Sequence, residues 1–190
     1  MPAKLLPSVK YLDECFRYEP PTGKLWWKVR PLHHFVDLHA QLASNGRFAG
    51  KEAGHDAGGK SGPRRSVMLN RQNYYVHRII YKMMTGKEPG ETIDHRFGDE
   101  SDNRWEILRK ATWAQQVWNR GMKSNNTSGY RGVFRAPNGK WYTKIFFKGK
   151  TYCLGTYDTP EAASVVFEAK ARELHGEFYR EISPNCLTPQ

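Results

Sequence analysis

Clusters of glycine, proline, serine and asparagine divide this 190-residue chain into short blocks, and that division limits what it can fold into. Such residues mark turns and loops, so each block has room only for a short helix or a few short strands. The length suits one ordinary domain or two small ones. The blocks favour two small domains, and we expect an α+β fold.

The charge balance points to a polyanionic partner. The chain has 30 lysines and arginines against 19 acidic residues, a formal net charge of +11. Basic side chains neutralise phosphates and release condensed counterions when they bind nucleic acid. A merely soluble basic protein is the alternative, but the basic residues are mixed with aromatic ones, which favours nucleic acid.

The cysteines and the apolar runs argue against several classes of protein. Cys15, Cys153 and Cys186 are odd in number and far apart, so we expect neither a disulfide framework nor a CxxC zinc knuckle, and no structural zinc. No apolar run approaches the roughly 18 residues that span a bilayer. The first ten residues lack the uninterrupted apolar region of a signal peptide. We expect a cytoplasmic protein without a membrane partner.

The stretch 92–120 carries the most chemistry. The adjacent Asp94 and His95 offer a carboxylate and an imidazole that titrates near neutral pH. A turn-rich loop follows at 98–103, and the amphipathic run at 105–118 is predicted to be helical. Hydrolysis of a phosphodiester needs a base and a divalent cation, and a carboxylate with few other protein ligands suits Mg²⁺.

The preceding blocks predict small elements around this stretch. A turn at 20–23 followed by a strand at 24–28 predicts an N-terminal β-hairpin. The segment 67–76 predicts a strand pair, and 77–86 predicts a helix that ends at its final glycine. The glycine-rich basic segment 47–65 lacks the spacing of a phosphate-binding loop, so a mobile basic loop is the preferred interpretation.

The motifs between about residues 76 and 120 resemble those of phage and intron HNH endonucleases. The matching positions are His77-Arg78, Ile93-Asp94-His95, Gly98-Asp99, Asp102-Asn103-Arg104, Leu108-Arg109, Ala111-Thr112 and Gln115. The resemblance implies a ββα-metal (His-Me finger) nuclease domain in which Asp94 binds the metal and His95 activates water. It further implies Mg²⁺ or Mn²⁺ as the cofactor, double-stranded DNA as the partner, and products with a 5′-phosphate and a 3′-hydroxyl.

Further residues of the segment are assigned on the same basis. His77 is a candidate catalytic residue, although its place at a helix start favours an orienting or capping role. Arg78, Arg104 and Arg109 are candidate DNA contacts. The acidic loop at 98–103 is predicted to be a turn capped by its own side chains rather than a metal site. A purely structural histidine is the alternative interpretation of His95.

Two positions depart from the family pattern. Ile107 stands where the family has an asparagine that orients the base, and Gln116 stands where it has a second metal ligand. Isoleucine neither donates nor accepts a hydrogen bond, so His95 is predicted to lack its orienting partner. Gln116 is the candidate second ligand, with Asn119 as an alternative. We therefore expect slow cleavage. Replacing Ile107 with asparagine, alone or together with Gln116→Asn, should raise the cleavage rate.

The last third of the chain predicts a second module. The polar segment 121–128 is predicted to be a linker, the module itself spans 129–182, and 183–190 is a tail. NG and KGK turns separate three predicted strands. A helix is predicted from Thr159, its cap, to His175, where a glycine ends it.

The motifs YRGV, GKW, LGTY and the EAA helix of this module resemble the APETALA-two (ERF-like) DNA-binding domain of plant transcription factors and phage endonucleases. The resemblance implies a small three-stranded antiparallel sheet, packed on one helix, that lies in the major groove. The residues then expected to face DNA are Arg131, Lys140, Trp141, Lys144 and Thr156. Phe134, Ala136 and Cys153 replace residues that read bases in the plant domains, so no target sequence follows. A protein-binding β-meander is the alternative.

These patterns together predict a metal-dependent HNH endonuclease of phage or homing type that nicks or cuts duplex DNA. Its nuclease domain would span 1–120, with an N-terminal hairpin extension and a core at 67–120. A DNA-binding regulator built on a degenerate nuclease is the alternative, favoured by Ile107 and Gln116. An RNA-binding or RNA-cutting protein is suggested only by basic and aromatic content. We expect a monomer or weak dimer, in the host cell cytoplasm if the protein is phage-encoded.

Overall fold

The chain forms two compact units, Met1–Trp113 and Ala114–Gln190, and each has a hydrophobic core of its own. The computed structural model describes residues 4–57, 64–90, 92–122 and 125–181. Both units mix short helices with small antiparallel sheets. The domain limits predicted above remain a prediction.

The first unit is built from short elements, which form two-stranded and three-stranded antiparallel sheets. In chain order, its described helices and strands are α1 (Val9–Cys15), β1 (Phe16–Glu19), β2 (Lys24–Trp27), α2 (Leu38–Phe48), β3 (His55–Asp56), β4 (Arg65–Leu69), β5 (Gln72–Tyr75), α3 (Val76–Thr85), β6 (Thr92–His95) and β7 (Leu108–Ala111). The strand orders are β1-β2, β3-β4-β5 and β6-β7.

The core of the first unit joins residues that are distant in sequence. Leu12 of α1 and Phe16 of β1 are buried with Ile79 and Ile80 of α3. Ile93 of β6 belongs to the same cluster. Burial of side chains of this size stabilises a fold by about 1.5–3 kcal/mol each. The N-terminal elements and α3 therefore support the strand that carries Asp94 and His95.

Both predicted hairpins of this unit are present. The first consists of β1 and β2, joined by the turn at 20–23. The second consists of β4 and β5, and its turn places Asn70 and Arg71 at φ 51° and 61°, as a two-residue hairpin turn of type I′ requires. α3 ends at Gly86, which adopts the left-handed conformation with φ 73°. Residues 58–63 of the predicted mobile loop lie outside the described residues.

The helix predicted at 105–118 is wrong. Trp105–Ile107 form a single 3-10 turn, Leu108–Ala111 form β7, and α4 covers only Trp113–Trp118. Residues 108–111 become a strand because β6 pairs with them in antiparallel register, which satisfies the backbone hydrogen-bonding groups of both. The resulting order is strand, strand, helix.

The second unit contains the predicted three-stranded meander and its helix. Its strands are β8 (Val133–Arg135), β9 (Trp141–Phe147) and β10 (Lys150–Tyr157), in the order β8-β9-β10, and its long helix is α5 (Pro160–His175). The Thr159 hydroxyl accepts a hydrogen bond from the Ala162 N–H at 3.2 Å and caps α5. Ile145 and Phe167 pack in the core between sheet and helix.

Part of the predicted linker is a hydrogen-bonded turn of the second unit. The Asn126 side chain accepts from the Gly129 N–H at 2.8 Å and donates to the Tyr130 carbonyl at 2.8 Å. Residues 123 and 124 of the predicted linker lie outside the described residues. None of the helices in the described parts of the chain is both long and apolar enough to cross a membrane.

Candidate active site

Asp94 and His95 are the last two residues of β6, and both side chains are buried. Asp94 lies opposite Arg109 on β7, and His95 lies opposite Leu108. Buried polar groups are costly unless they are paired. The partners of these two side chains therefore determine which protonation state and orientation each one adopts.

The Asp94 carboxylate is paired with Arg109 across the hairpin. Oδ2 of Asp94 lies 2.9 Å from Nε and 2.8 Å from Nη2 of Arg109. The two side chains are 5% and 13% exposed, which makes this a largely buried ion pair. The guanidinium of Arg109 thus neutralises the candidate metal ligand, and the DNA contact predicted for Arg109 stays a prediction.

The imidazole of His95 has an orienting partner in Asn103. Nε2 of His95 lies 3.3 Å from Oδ1 of Asn103, and the amide nitrogen of Asn103 donates to the Ser101 carbonyl at 3.1 Å. The second bond fixes which end of the amide faces His95. Since an amide oxygen only accepts, Nε2 carries the proton and donates it. In the neutral ring, Nδ1 is then the basic nitrogen.

The expectation that His95 lacks an orienting partner is therefore wrong. Ile107 is buried at 4% exposure, and its carbonyl accepts from the Arg96 N–H at 2.9 Å in the hairpin. The loop after His95 folds back and brings Asn103 to the imidazole. Asn103 was among the positions that match the family motifs, but its role beside His95 was not predicted, because spacing along the chain does not show that a loop returns to its own strand.

The acidic loop is a turn held by its own side chains, as predicted. Asp99 accepts from the N–H and the hydroxyl of Ser101 at 2.9 and 2.6 Å, and these bonds lower the pKa of Asp99. Asp102 binds the Arg104 guanidinium at 2.6 Å, and this contact lowers the pKa of Asp102. Arg104 also lies 3.3 Å from Glu106, so this predicted DNA contact is already paired with two carboxylates.

The N-terminal hairpin supports the loop at Asn103. The Tyr18 hydroxyl donates to the Asn103 carbonyl at 2.8 Å. Gly23 of the hairpin turn has φ 72°, and a Cβ there would lie 2.6 Å from the Arg104 nitrogen and 2.7 Å from the Asn103 carbonyl carbon. Only glycine therefore permits this approach of the two backbones.

His77 lies beside the candidate base. Its ring meets the His95 ring edge-on at 5.1 Å and stacks on Tyr75 at 5.5 Å. Burial first, and then the charges of His95 and neighbouring arginines, lower the pKa of His77 well below its ordinary value. The cap of α3 is Tyr75, without a side-chain cap bond. A neutral, buried His77 fits the predicted orienting role better than proton transfer.

Burial of His95 favours a neutral imidazole, and nearby groups oppose this effect in part. Burial lowers the pKa of His95, while the bond to Asn103 and the charges of Glu100 and Asp94 act in the opposite direction. Glu100 is itself held by Arg64 through two hydrogen bonds of 2.6 Å. A neutral imidazole near pH 7 is the form that a general base requires.

Three further candidate residues, Gln116, Arg78 and Lys140, lie in surroundings that differ from one another. Gln116 lies on α4, in the part that belongs to the second unit, whereas Asp94 lies in the first. Arg78 is partly buried, and burial lowers its pKa. Lys140 is paired with Asp158 at 2.9 Å on an exposed surface.

Arg131 and Trp141, whose predicted contacts with DNA stay predictions, both have neighbours within the second unit. The Arg131 guanidinium donates to the Trp118 carbonyl within the second unit, and burial lowers its pKa. Trp141 lies two residues before Thr143 and shares its face of β9, and Thr143 is buried on the helix side of the sheet. Lys144 lies three residues from Trp141, so the two side chains project from opposite faces of a regular strand.

The open face of the second sheet carries Lys144, Thr156 and aromatic residues that were not predicted. Tyr142 pairs with Phe134 and Thr156 on neighbouring strands, so these three side chains share a face. The Lys144 ammonium lies 5.5 Å from the Phe134 ring centre and 5.8 Å from that of Tyr142. Every second residue of β9 lies on this face, as in any regular strand, so the predicted strand together with this period of two could have identified it from the sequence.

Comparison with known proteins finds a family model that matches the segment containing the Asp94-His95 hairpin. Residues 74–117 match the model of a family described as HNH endonuclease. The chain is 30% identical over 122 residues to a protein of Acanthamoeba polyphaga mimivirus named an uncharacterized HNH endonuclease, across 63% of this chain and 62% of that protein. It is 28% identical over 106 residues to Protein 3.8 of Escherichia phage T7, across 55% of this chain and 87% of that protein. No solved structure matches the chain.

These matches show that residues 74–117 are similar to an HNH endonuclease family, and they support nuclease activity at the level of that family. HNH nucleases generally use a divalent metal ion, and an HNH nuclease acts on DNA. The chain spans 62% of the length of the mimivirus relative. The family match ends at residue 117 and does not extend into the three-stranded sheet.

Proposed function

We propose that this protein is a metal-dependent endonuclease that hydrolyses phosphodiester bonds in duplex DNA. The observation that carries the proposal is the buried Asp94-His95 pair, in which His95 donates through Nε2 to Asn103 and so has its basic lone pair on Nδ1. The family match over the same residues supports the reaction class. A phage or homing-type role belongs to the same proposal.

The roles of the residues follow from their chemistry. His95 would take the proton from the attacking water, and Asn103 would hold the imidazole as its charge rises. His77 would keep the His95 ring in place through their edge-on contact. Asp94 would hold the divalent cation, because a carboxylate offers the hard oxygen ligands that Mg²⁺ and Mn²⁺ prefer. The bound cation would supply neutralisation of charge on the phosphate.

The open face of the second sheet would hold the substrate. Lys144, Tyr142 and Thr156 share an exposed face that combines positive charge with aromatic surface. Such a combination suits contact with phosphates and bases. Attachment to the same chain would raise the effective concentration of the catalytic residues near DNA.

A second candidate is a DNA-binding regulator built on a nuclease that no longer cuts. The ion pair between Asp94 and Arg109 favours it, because the carboxylate must give up or share a buried partner to bind a cation. Gln116, with a longer side chain than the family's ligand, points in the same direction.

Nicking of supercoiled plasmid separates the two candidates. The full chain is incubated with plasmid and Mg²⁺ or Mn²⁺, beside Asp94→Ala and His95→Ala, with the exposed His39→Ala as the matched control. A nuclease gives metal-dependent nicks that both site variants lose and His39→Ala keeps. Equal products from the full chain and the site variants, together with retained plasmid binding, would establish the regulator instead.

A further inference from the structure

A second group of metal-ligating side chains lies outside the nuclease segment, in the N-terminal part of the first unit. It consists of Glu14 on α1 and the adjacent His33 and His34, which belong to the 3-10 turn Leu32–His34. Nε2 of His33 lies 3.0 Å from Oε2 of Glu14, and Nε2 of His34 lies 2.7 Å from the same oxygen. Two imidazole nitrogens thus converge on one carboxylate oxygen.

We propose that Glu14, His33 and His34 form a binding site for a divalent transition metal ion, with Zn²⁺ as the preferred ion. Two imidazoles and one carboxylate are a ligand set that Zn²⁺ takes in proteins, with water in the fourth position. In a tetrahedral site with bonds of about 2.0–2.1 Å the ligand atoms lie about 3.3 Å apart. The present separations of 2.7 and 3.0 Å between Glu14 and the two imidazoles are those of hydrogen bonds, so each of these two pairs needs to open by roughly a few tenths of an ångström to accept an ion. All three ligand atoms already lie within 4.8 Å of one another.

The surroundings of His34 prepare it to bind through Nε2. Its ring stacks on Tyr11 at 4.1 Å, and its side chain is fully buried, which fixes the ring plane. Its other nitrogen, Nδ1, lies 3.7 Å from the Cys15 sulfur. With the proton moved to Nδ1, that nitrogen donates toward the sulfur while Nε2 presents its lone pair, as metal-bound histidines usually require.

The site is open to solvent on the side of His33. The His33 side chain is 66% exposed and that of Glu14 is 25% exposed. An ion can therefore enter, and water can complete its coordination. The Lys28 N–H donates to the Cys15 carbonyl at 2.9 Å and holds the following segment against the end of α1. The ion would join the turn to α1 at a place where the backbone already brings them together.

The structure argues against a second interpretation, in which Cys15 is a catalytic nucleophile activated by His34 and Glu14. The order Cys15, His34 and Glu14 resembles a catalytic triad, but the Cys15 sulfur is fully buried and no substrate could reach it. Burial also raises the pKa of the Cys15 thiol to about 11, so the sulfur remains a thiol near neutral pH.

Metal binding by the full chain tests the site. The measurement is made with Asp94→Ala, which removes the candidate catalytic ligand, by isothermal titration with Zn²⁺ and by the visible absorption of bound Co²⁺. We expect one equivalent of Zn²⁺ to bind and Co²⁺ to show the strong absorption of four-coordinate sites. Adding His33→Gln or Glu14→Gln should weaken Zn²⁺ binding at least 10-fold, and adding His39→Gln should leave it unchanged.

His33 is the preferred variant because its exposed side chain can be replaced without disturbing the core, and thermal melting in EDTA checks this. Zn²⁺ should raise the melting temperature of Asp94→Ala and of its His39→Gln derivative but not of the His33→Gln derivative. No binding to Asp94→Ala, or equal binding with and without His33, would overturn the proposal. Because Asp94 is absent from all these proteins, the outcome does not depend on nuclease activity.

Discussion

His95 is oriented by an amide rather than by a carboxylate. The amide of Asn103 cannot take up a proton, so the Nε2 proton of His95 stays in place when Nδ1 is protonated. The arrangement depends on a side chain that is itself fixed by the Ser101 carbonyl. Loss of this amide should therefore affect the candidate base more than the fold.

Asn103→Ala should reduce the rate of plasmid nicking about 10-fold to 100-fold, the usual effect of removing a group that orients a functional side chain. The readout is the initial rate at saturating metal ion, compared with plasmid affinity, which should not change. Glu106→Ala, an exposed change in the adjoining turn, is the control. Equal rates for the parent and Asn103→Ala would mean that this amide does not position His95.

Ile107→Asn should destabilise the first unit by about 1–3 kcal/mol, because it buries a polar amide in an apolar site. It should not raise nicking, since Asn103 already binds His95. Denaturant unfolding measures the first effect, and Ile107→Val, which costs about 0.5–1.5 kcal/mol, is the control. An Ile107→Asn protein that cuts faster would restore the interpretation based on the family pattern.

At the scale of elements, the hairpin of β1 and β2 supports the loop that carries Asn103. Tyr18 binds the Asn103 carbonyl, and Gly23 lets the hairpin turn approach the backbone of Asn103 and Arg104. The element that the sequence presents as an extension is thus in contact with the residue that orients the base.

Gly23→Ala should lower both stability and nicking. Two effects combine, namely a positive φ that costs alanine about 1–2 kcal/mol and a Cβ that collides with backbone. Gly50→Ala is the matched control, since Gly50 has φ 75° but no described atom lies within 4 Å of the place its Cβ would take. We expect Gly23→Ala to be the less stable by at least about 1 kcal/mol in denaturant unfolding. Equal losses would show that the contact contributes nothing.

His175 should make the stability of the second unit depend on pH. Its ring is buried and stacked on Trp118 at 4.9 Å, and neither nitrogen has a hydrogen-bond partner among the residues that the structure describes. Burial lowers the pKa of His175 to about 4. Below its ordinary pKa of about 6.5 the unfolded chain binds a proton that the folded unit does not, so stability falls as the pH drops toward 4.

The expected slope from this group is at most about 1.4 kcal/mol per pH unit between pH 6.5 and 4, and the contribution is constant above that range. Thermal melts at pH 7 and pH 4.5 measure it. Carboxylates also titrate in this window, so the comparison is with His175→Phe, which keeps the ring stack. The His175→Phe protein should lose less stability on acidification, and an equal loss would show that His175 is not the cause.

At the scale of the whole molecule, the net charge of +11 should govern binding to DNA. If six to ten phosphates are contacted, affinity should fall by about 10³ to 10⁵ between 50 and 200 mM salt. Gel shifts over that range give the slope, and Lys144→Ala should reduce it by about 1. A Lys144→Ala protein with an unchanged slope would remove the open sheet face from the DNA interface.

Local patterns predicted the elements whose limits are set locally. In the second unit, the turn at Asn138-Gly139 and the sequence Thr159-Pro160 mark where strands and helix α5 begin or end. The helix α3 likewise ends at the glycine that predicts its end. Turn residues and caps act within a few positions, so sequence alone reveals them.

Features that depend on distant partners were missed. Residues 108–111 have apolar spacing that fits a helix, but pairing with β6 makes them a strand. Helices α1 and α2 were also not predicted, although Ser8 and Asp37 cap them locally and were signals in the sequence. The pairing of Asp94 with Arg109 and of His95 with Asn103 depends on how the hairpin and its loop fold back, which residue spacing does not encode.

The support that the N-terminal hairpin gives to Asn103 bears on any attempt to transplant the Asp94-His95 hairpin into another protein. The family match covers 44 positions, 74–117, yet Leu12, Phe16 and Tyr18 supply part of the core and the bond to the Asn103 backbone. A graft limited to the matched segment would contain His95 but would lack the N-terminal residues that support the loop holding its imidazole in place. Under the proposed function, a transferable nuclease module would need the first unit as a whole, Met1–Trp113, in addition to the rest of the matched segment.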